Sequence, residues 1–229
     1  QGSWLRCLTG EDRTAGRTVH LLTQRIENGS EAVDLGVTVK PTTPGNFQPT
    51  MPENMRDGAC FGLLVGMGNE QIDYRATALV QQAPAAGGGM LISVDSDGKL
   101  SLRDFSKPLK KGGYWTIPGN VDFRNLPEVA AADFPIGAYP VRLGIHWEAD
   151  QLTVRAVTKD KVGNRIEASF AVKDIGREKL RGGISLFSAR GTEKSKTGFS
   201  FASFQLIGGK SFPERGWGPI LGVLYTQAT

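Results

Sequence analysis

Pairs of carboxylates two residues apart are the first feature of this sequence that could carry chemistry. Glycoside hydrolysis needs two carboxyl groups on opposite sides of the scissile bond, and alternate positions of one strand can present them on the same face. Asp95 and Asp97 have this spacing, and so do Glu148 and Asp150. Asp97 precedes Gly98, so turn formation is the preferred role for Asp95 and Asp97, and Asp150 lies in a turn while Glu148 ends a predicted strand.

Asp95 and Asp97 are also the weak candidates for a metal site. An Asp-x-Asp-Gly sequence offers oxygen ligands to Ca²⁺, but a calcium loop needs further oxygen ligands downstream, and Lys99 follows instead. The two histidines, His20 and His146, lack the spacing of a zinc site. The sequence therefore predicts no metal and no cofactor, with Ca²⁺ as the one alternative.

Sequence signals of nucleophilic and phosphate chemistry are also missing. There is no Gly-x-Ser-x-Gly elbow, and the glycines at 87–89 are not followed by the Lys-Ser/Thr of a phosphate-binding loop. These absences favour a binding domain over an enzyme.

A binding surface is predicted by the alternation of residues 141–148. The odd positions are apolar and face the core, while the even positions point to the opposite face. Residues on the next strand stand beside them, since opposed side chains in a hairpin lie about 5 Å apart. If this sheet is the concave one, the face forms a polar floor for a sugar or another polar ligand; the alternative is an outer face that is solvated or packed on another domain. The candidate ligand-binding residues on this face are Arg142, His146, Glu148, Thr153 and Arg155.

Aromatic side chains add a second candidate. Tyr114 and Trp115 follow Lys110-Lys111-Gly112-Gly113, and on a loop they would form a stacking platform for a sugar ring. The alternative is that Trp115 fills the core or its rim. Trp147 shares the phase of the apolar positions of its strand and is assigned to the core.

The elements that position these residues are short alternating strands. Residues 139–206 form a ladder of such strands, and Asp97-Gly98 between two alternating runs is a strong hairpin signal. About a dozen strands with few or no helices predict an all-β, two-sheet antiparallel jelly-roll sandwich, with a closed barrel as the runner-up. Residues 126–135 are expected to hold a short helix or an irregular loop.

Two details of the C-terminal part remain open. Phe199 and Phe201 share one phase while Phe204 and Leu206 share the other, so either a β-bulge lies near Ala202 or the strand is buried on both faces. We expect the sandwich to occupy 1–208. Residues 209–229 then form an extension that pairs along a sheet edge or begins a junction to a further domain.

Composition narrows the choice of partner and compartment. The chain has 229 residues and a formal net charge of +4, with basic and acidic residues interleaved, a pattern that argues against nucleic-acid binding. No apolar run is long enough to predict a transmembrane segment. The chain opens at Gln1, which suggests the removal of a signal peptide or a cloning boundary. Cys7 and Cys60 form one disulfide or remain two buried thiols.

The C-terminal half resembles the concanavalin A-like lectin/glucanase superfamily, which includes laminin G-like domains. The resemblance rests on Trp147-Glu-Ala-Asp-Gln-Leu-Thr-Val-Arg-Ala, on Leu180-Arg-Gly-Gly-Ile-Ser-Leu-Phe and on Phe199-Ser-Phe-Ala-Ser-Phe-Gln-Leu-Ile-Gly. It implies a sandwich domain that binds carbohydrate. Trp217-Gly-Pro-Ile-Leu-Gly-Val-Leu-Tyr-Thr is similar to the junction that precedes the catalytic domain in exported alkaline phosphatase D-like metallophosphoesterases.

Two hypotheses follow from the residues and the resemblances. The first is a non-catalytic accessory domain that binds carbohydrate or packs on a neighbouring catalytic domain, in a secreted, periplasmic or cell-surface bacterial protein. The second is a glycoside hydrolase of the laminarinase-like class, acting through concave-face acids such as Glu148 with Asp122 or Asp73. Protein recognition through the loop 190–197 is a third and weaker alternative.

Overall fold

A computed structural model of the chain describes residues 4–6, 16–27, 32–42, 59–67, 89–95, 97–106, 126–189, 198–211 and 223–227. These residues form two antiparallel sheets and one short helix, α1 (Arg177–Leu180). The strand order of the six-stranded sheet is β1 (Leu5–Arg6), β12 (Gly198–Ile207), β3 (Ala32–Thr42), β8 (Val141–Glu148), β9 (Gln151–Lys159), β10 (Arg165–Lys173). The order of the eight-stranded sheet is β13 (Lys210–Ser211), β2 (Gly16–Ile26), β11 (Gly182–Ala189), β4 (Cys60–Met67), β5 (Met90–Asp95), β6 (Lys99–Asp104), β7 (Glu128–Asp133), with β14 (Val223–Gln227) also on β2. The predicted all-β sandwich is confirmed, and two separate sheets in the described residues argue against the closed barrel.

The main core lies between the two sheets and is built by alternation. On β8 the odd positions from Val141 to Trp147 are buried and the positions between them are exposed or half-buried. Trp147 is 2% exposed, which confirms its assignment to the core. Burying each such side chain stabilises the fold by about 1.5–3 kcal/mol relative to leaving it in water.

The two sheets differ in how their outer faces are covered. Every residue of β4 is buried, because Phe61, Leu63 and Val65 join the main core while Cys60 and Leu64 join a second apolar cluster on the opposite side of the strand. A continuous apolar run is typical of a strand buried on both faces. The outer face of β8 is open by contrast and presents polar side chains from the six-stranded sheet.

The strands β8, β9 and β10 form the predicted meander. β8 and β9 are joined by a two-residue turn in which Ala149 and Asp150 both have positive φ, and Glu148 pairs with Gln151. In the next turn the Asp160 Oδ1 atom accepts the backbone N–H of Asn164 at 2.7 Å. Two short, ordered turns keep the three strands in register.

The ladder from 139 to 206 does not continue as one meander. After β10 the chain passes through α1 and enters the eight-stranded sheet as β11 between β2 and β4. It then returns to the six-stranded sheet as β12, between β1 and β3. The alternation of a strand reports how its faces are buried and carries no information about which sheet it joins, so the sequence could not show this exchange.

A β-bulge in β12 resolves the change of phase among its aromatic residues. The pairing with β3 shifts register between Ala202 and Gln205, and Ser203 has a φ of 52°. Phe201 is buried before the bulge, and Phe204 and Leu206 pack against the same core after it. An extra residue in one strand reverses which positions face inward. Of the two alternatives that the sequence left open, the β-bulge near Ala202 and Ser203 is the one present.

Two further expectations concern β7 and the hairpin between β5 and β6. Residues 128–133 form the edge strand β7, so the expectation of a short helix or irregular loop there is wrong. The pairing of β7 with β6 overrides the weak local preference of its three alanines for a helix. The hairpin between β5 and β6 is confirmed, with Gly98 at a φ of 88°.

At the C-terminus, β14 pairs antiparallel with β2 and β13 pairs with the other end of the same strand. This is the sheet pairing that the sequence left open as one of two arrangements. Among the described residues no helix has the length and apolar character that crossing a bilayer requires. Cys60 is buried, while Cys7 lies outside the described residues, so a bridge between them stays a prediction.

Candidate functional site

A groove of about 560 Å³ lies on the outer face of the six-stranded sheet. Its floor contains Gly36 of β3 and Gly144 of β8, which pair directly with each other across the two strands. Gly144 is half-buried and Gly36 is buried beneath the end of the Arg142 side chain; neither has a side chain of its own, so a ligand can approach the middle of the sheet closely here. The other residues that line the groove are Asp34, Leu35, Arg142, Ile145, His146, Thr153, Arg155, Val157, Arg165, Gln205 and Ile207, of which Leu35 and Ile145 have their side chains in the main core.

The predicted binding residues of β8 and β9 are brought together on this face. Thr153 pairs with His146, and Arg155 pairs with Gly144. Paired residues on neighbouring strands share a face, so the side chains of Thr153, Arg155 and His146 lie on the same outer face. Arg142, His146 and Glu148 are exposed, which confirms the register argument. Glu148 lies at the end of β8 and does not line the groove. Whether these residues bind a ligand stays a prediction.

One end of the groove is built around His146. Its Nδ1 atom lies 2.8 Å from Asp34 Oδ1, and its Nε2 atom lies 3.4 Å from Glu148 Oε2. The hydrogen bond with Asp34 is the main cause that raises the pKa of His146; burial opposes it, and the hydrogen bond with Glu148 adds to it. A protonated imidazolium can donate from both ring nitrogens, which fits a histidine held between two carboxylates.

The opposite end of the groove carries Arg142. The Arg142 guanidinium donates from Nη2 to the side-chain oxygen of Gln205 at 3.0 Å. The same Nη2 atom lies 3.2 Å from the point that a Cβ on Gly36 would occupy. The guanidinium therefore lies over a residue without a side chain. The bulge in β12 matters here, because it turns Gln205 and Ile207 outward onto this face.

A third cluster adjoins the groove on β9 and β10. Arg155 Nε lies 2.5 Å from Glu167 Oε1, and Arg165 Nη2 lies 2.7 Å from Glu167 Oε2. The hydrogen bond with Arg155 is the main cause that lowers the pKa of Glu167, and it raises that of Arg155. Two guanidinium groups thus share one carboxylate at the groove wall.

Sequence reasoning missed several residues of this face. Asp34 and Gly36 lie on the outer face of β3, where Asp34 is exposed and Gly36 is buried under Arg142, but the alternation of β3 alone does not show that β3 and β8 are neighbours. Gln205 was hidden by the bulge, since its phase follows the residues after Ser203 and not those before. Arg165 begins a strand whose pairing with β9 could be predicted from the short turn, so its position opposite Lys159 was the easiest of these four to predict.

The aspartates first considered for Ca²⁺ lie elsewhere, in the β5–β6 turn. Asp95 Oδ1 accepts the backbone N–H groups of Asp97 at 3.1 Å and Lys99 at 2.9 Å. Burial raises the pKa of Asp95, and these backbone hydrogen bonds oppose the effect. Its carboxylate serves the turn, the preferred role from the sequence. In the ranges that the structure describes, no group of three or more His, Cys, Asp or Glu side chains is placed to hold a metal ion.

Other candidates fall outside the described residues. These are the proposed platform of Tyr114 and Trp115, the acids Asp73 and Asp122, and the loop 190–197. They stay predictions. His20 lies on β2 in the eight-stranded sheet, whereas His146 is on the six-stranded sheet, so the two histidines belong to different sheets.

Comparison with known proteins identifies the fold through solved structures. No protein-family model matches the chain, and no curated protein matches it. The VIP36 exoplasmic/lumenal domain in its Ca²⁺/Man3GlcNAc-bound form aligns with a TM-score of 0.52 at 15% identity, over 94% of this chain and 83% of that one. Its metal-free form aligns at 0.51 and 14% identity, over 100% and 89% of the two chains. Lectin II from Ulex europaeus aligns at 0.51 and 10% identity, over 89% and 86%.

Identities this low establish the fold alone. The chain has a legume-lectin-like β-sandwich, in agreement with the concanavalin A-like architecture expected from residues 147–208.

Proposed function

We propose that this chain is a non-catalytic carbohydrate-binding domain, and that its ligand lies in the groove over Gly36 and Gly144. The observation that carries the proposal is the groove itself, with its glycine floor and its polar walls. Sugar hydroxyls both donate and accept hydrogen bonds. The groove matches them with guanidinium and hydroxyl donors, a carboxylate acceptor in Asp34, and the amide of Gln205.

Apolar contacts complete the match. Val157 and Ile207 line the groove, and Ile207 is 54% exposed, an unusual position for a large apolar residue. Small-molecule sites combine apolar walls with a few placed polar groups, and the apolar face of a sugar ring suits such walls. The lectin-like neighbours, among them one described as bound to Ca²⁺ and Man3GlcNAc, support the class of ligand but not the location of the site.

Filling the floor of the groove tests this proposal. A Cβ on residue 36 would meet the end of the Arg142 side chain, which can move, so Gly36→Ala and Gly36→Val can be accommodated by the fold. Valine also suits a strand better than glycine. Ala171→Val is the matched control, because Ala171 is exposed on β10 of the same sheet and does not line the groove.

The measurement is a glycan array on the full chain, followed by calorimetric titration of the best glycan. We expect Gly36→Val to weaken binding by about tenfold or more, which corresponds to about 1.4 kcal/mol, with Gly36→Ala intermediate and Ala171→Val unchanged. Absence of binding to every glycan by the folded chain would refute the proposal. Equal binding by Gly36→Val would exclude this groove as the site.

A second part of the proposal concerns context. We infer that the domain adjoins a catalytic domain of phosphoesterase type in an exported bacterial protein. Its support is the similarity of residues 217–226 to the junction in alkaline phosphatase D-like proteins. The test is the coding sequence that follows Thr229. An Asp/His/Asn-rich metal-binding domain there supports an accessory role, and a stop codon contradicts it.

A further inference from the structure

The charge distribution in the groove narrows the ligand class. Among the described residues, Arg142 forms a hydrogen bond with the neutral amide of Gln205 and no ion pair with a carboxylate. Its guanidinium lies over Gly36, where any side chain would crowd it. A guanidinium is a planar group with five donors that fits a carboxylate or sulfate through two parallel hydrogen bonds.

The neighbouring arginines add to the positive charge. Arg155 and Arg165 both line the groove and both pair with Glu167, so one carboxylate serves two cations. Their side chains are 50% and 58% exposed, and solvent screens exposed pairs of this kind so strongly that a stronger anionic partner can displace Glu167. Three guanidinium groups and one carboxylate leave an excess of positive charge at this end.

The other end of the groove has the opposite character. Asp34 lines it, and Glu148 lies next to it at the end of β8, with His146 between the two carboxylates. His146 and Arg142 are four residues apart on one strand, so the two ends are separated by about 13 Å. A ligand with one anionic group would therefore bind in one direction, with that group at Arg142.

We propose that the groove binds an anionic glycan, with its carboxylate or sulfate group on Arg142 above Gly36 and with Arg155 and Arg165 beside it. This inference rests on the proposed carbohydrate-binding function and adds the chemical class of the ligand. The Arg142 guanidinium selects the anionic group, and the half-buried Gly144, which has no side chain, lets the sugar ring that carries this group approach the sheet.

The experiment compares matched pairs of ligands by calorimetry. One arm uses an oligogalacturonate and its methyl ester, and the other uses a sulfated oligosaccharide and its desulfated form, so the arms separate carboxylate from sulfate. We expect the anionic member of at least one pair to bind about tenfold tighter than its neutral counterpart. Its affinity should fall as NaCl is raised from about 0.05 M to about 0.5 M, since exposed charges are screened.

Variants assign the effect to one residue. Arg142→Gln should lose about tenfold in affinity for the anionic ligand, a larger loss than for the neutral one, and Arg142→Lys should lose less because it keeps the charge without the planar fork. Lys161→Gln is the control, since it removes the same charge from the exposed β9–β10 turn outside the groove.

The outcomes separate this inference from the function it rests on. Equal affinity for the neutral and anionic members of both pairs overturns the anionic class and leaves carbohydrate binding intact. Binding to no glycan overturns both. Binding of a short single-stranded DNA as tightly as the anionic glycan also overturns the inference, because a general affinity for polyanions would then explain the result.

Discussion

His146 links the chemistry of the groove to its electrostatics at the scale of single residues. It is 46% exposed, so it equilibrates with solvent, yet Asp34 and Glu148 both favour its charged form. A histidine whose pKa is raised by folding contributes stability that is fully present below its unfolded pKa of about 6.5 and is lost as pH rises through the folded pKa. The charged state of this end of the groove therefore depends on pH near neutrality.

Replacing His146 by Gln tests this dependence. We expect the free energy of unfolding of the variant to be lower than that of the native chain at about pH 5.5 and equal to it at about pH 8.5. The difference at the lower pH should be only about 0.5 kcal/mol, because the ion pairs of His146 are exposed to solvent. Urea unfolding at the two pH values provides the measurement. Asp34→Asn removes the main hydrogen-bond partner of His146, so the free energy of unfolding of this variant should change less between the two pH values than that of the native chain. If His146→Gln lowered the free energy of unfolding equally at both pH values, the charged form of His146 would not be the stabilising one.

The β8–β9 turn holds the predicted binding residues in register at the scale of elements. Ala149 and Asp150 have φ values of 48° and 67°, the pattern of a type I′ turn. An L-residue in this region costs about 1–2 kcal/mol, and Asp tolerates it better than Ala. We therefore expect Ala149→Gly to raise the free energy of unfolding by about 0.5–1 kcal/mol.

The control for this turn variant is the same substitution in an ordinary strand. Ala171→Gly lies within exposed β10 and should lower the free energy of unfolding by about 0.5–1 kcal/mol, since glycine loses more backbone entropy there. Chemical denaturation of both variants gives the comparison. If Ala149→Gly were as destabilising as Ala171→Gly, positive φ would not be the property that limits this turn.

The same elements show what the sequence could and could not predict. Alternation identified the exposed phase of β8, and short turns identified its neighbour β9, so Arg142, His146, Thr153 and Arg155 were placed on one face correctly. The other side of β8 could not be predicted, because β3 is more than a hundred residues away along the chain and pairs through a long-range contact. Asp34 and Gly36 were missed for that reason. Gln205 was missed because one extra residue in β12 reverses its phase.

At the scale of the whole molecule, the two sheets have different roles. The outer face of β4 and β5 is closed by a second apolar cluster, which includes Leu64, Leu91 and Phe187. The outer face of β3, β8 and β9 is open and polar, with paired glycines at its centre. The proposed groove can therefore stay open to solvent while the main core and the second apolar cluster remain buried.

The C-terminal strand decides where this sandwich ends. Residues 223–227 pair with 17–21 of β2, and without them that part of β2 would become a sheet edge. Each hydrogen bond of such a pairing adds about 0.5–1.5 kcal/mol and is offset by the entropy of ordering the strand, so the net effect is about 1–3 kcal/mol. We expect deletion of 223–229 to lower the free energy of unfolding by that amount and to promote self-association through the new edge.

Urea unfolding and light scattering after size-exclusion chromatography measure both effects, with deletion of 228–229 as the control that keeps β14. The result bears on the proposed boundary at residue 208. If the longer deletion unfolds like the full chain and stays monomeric, the sandwich is complete without β14, and residues 209–229 act as an extension or a junction. If it is destabilised, the strand is part of the domain. In that case a catalytic domain after Thr229 would be joined directly to the eight-stranded sheet, on the opposite layer of the sandwich from the groove.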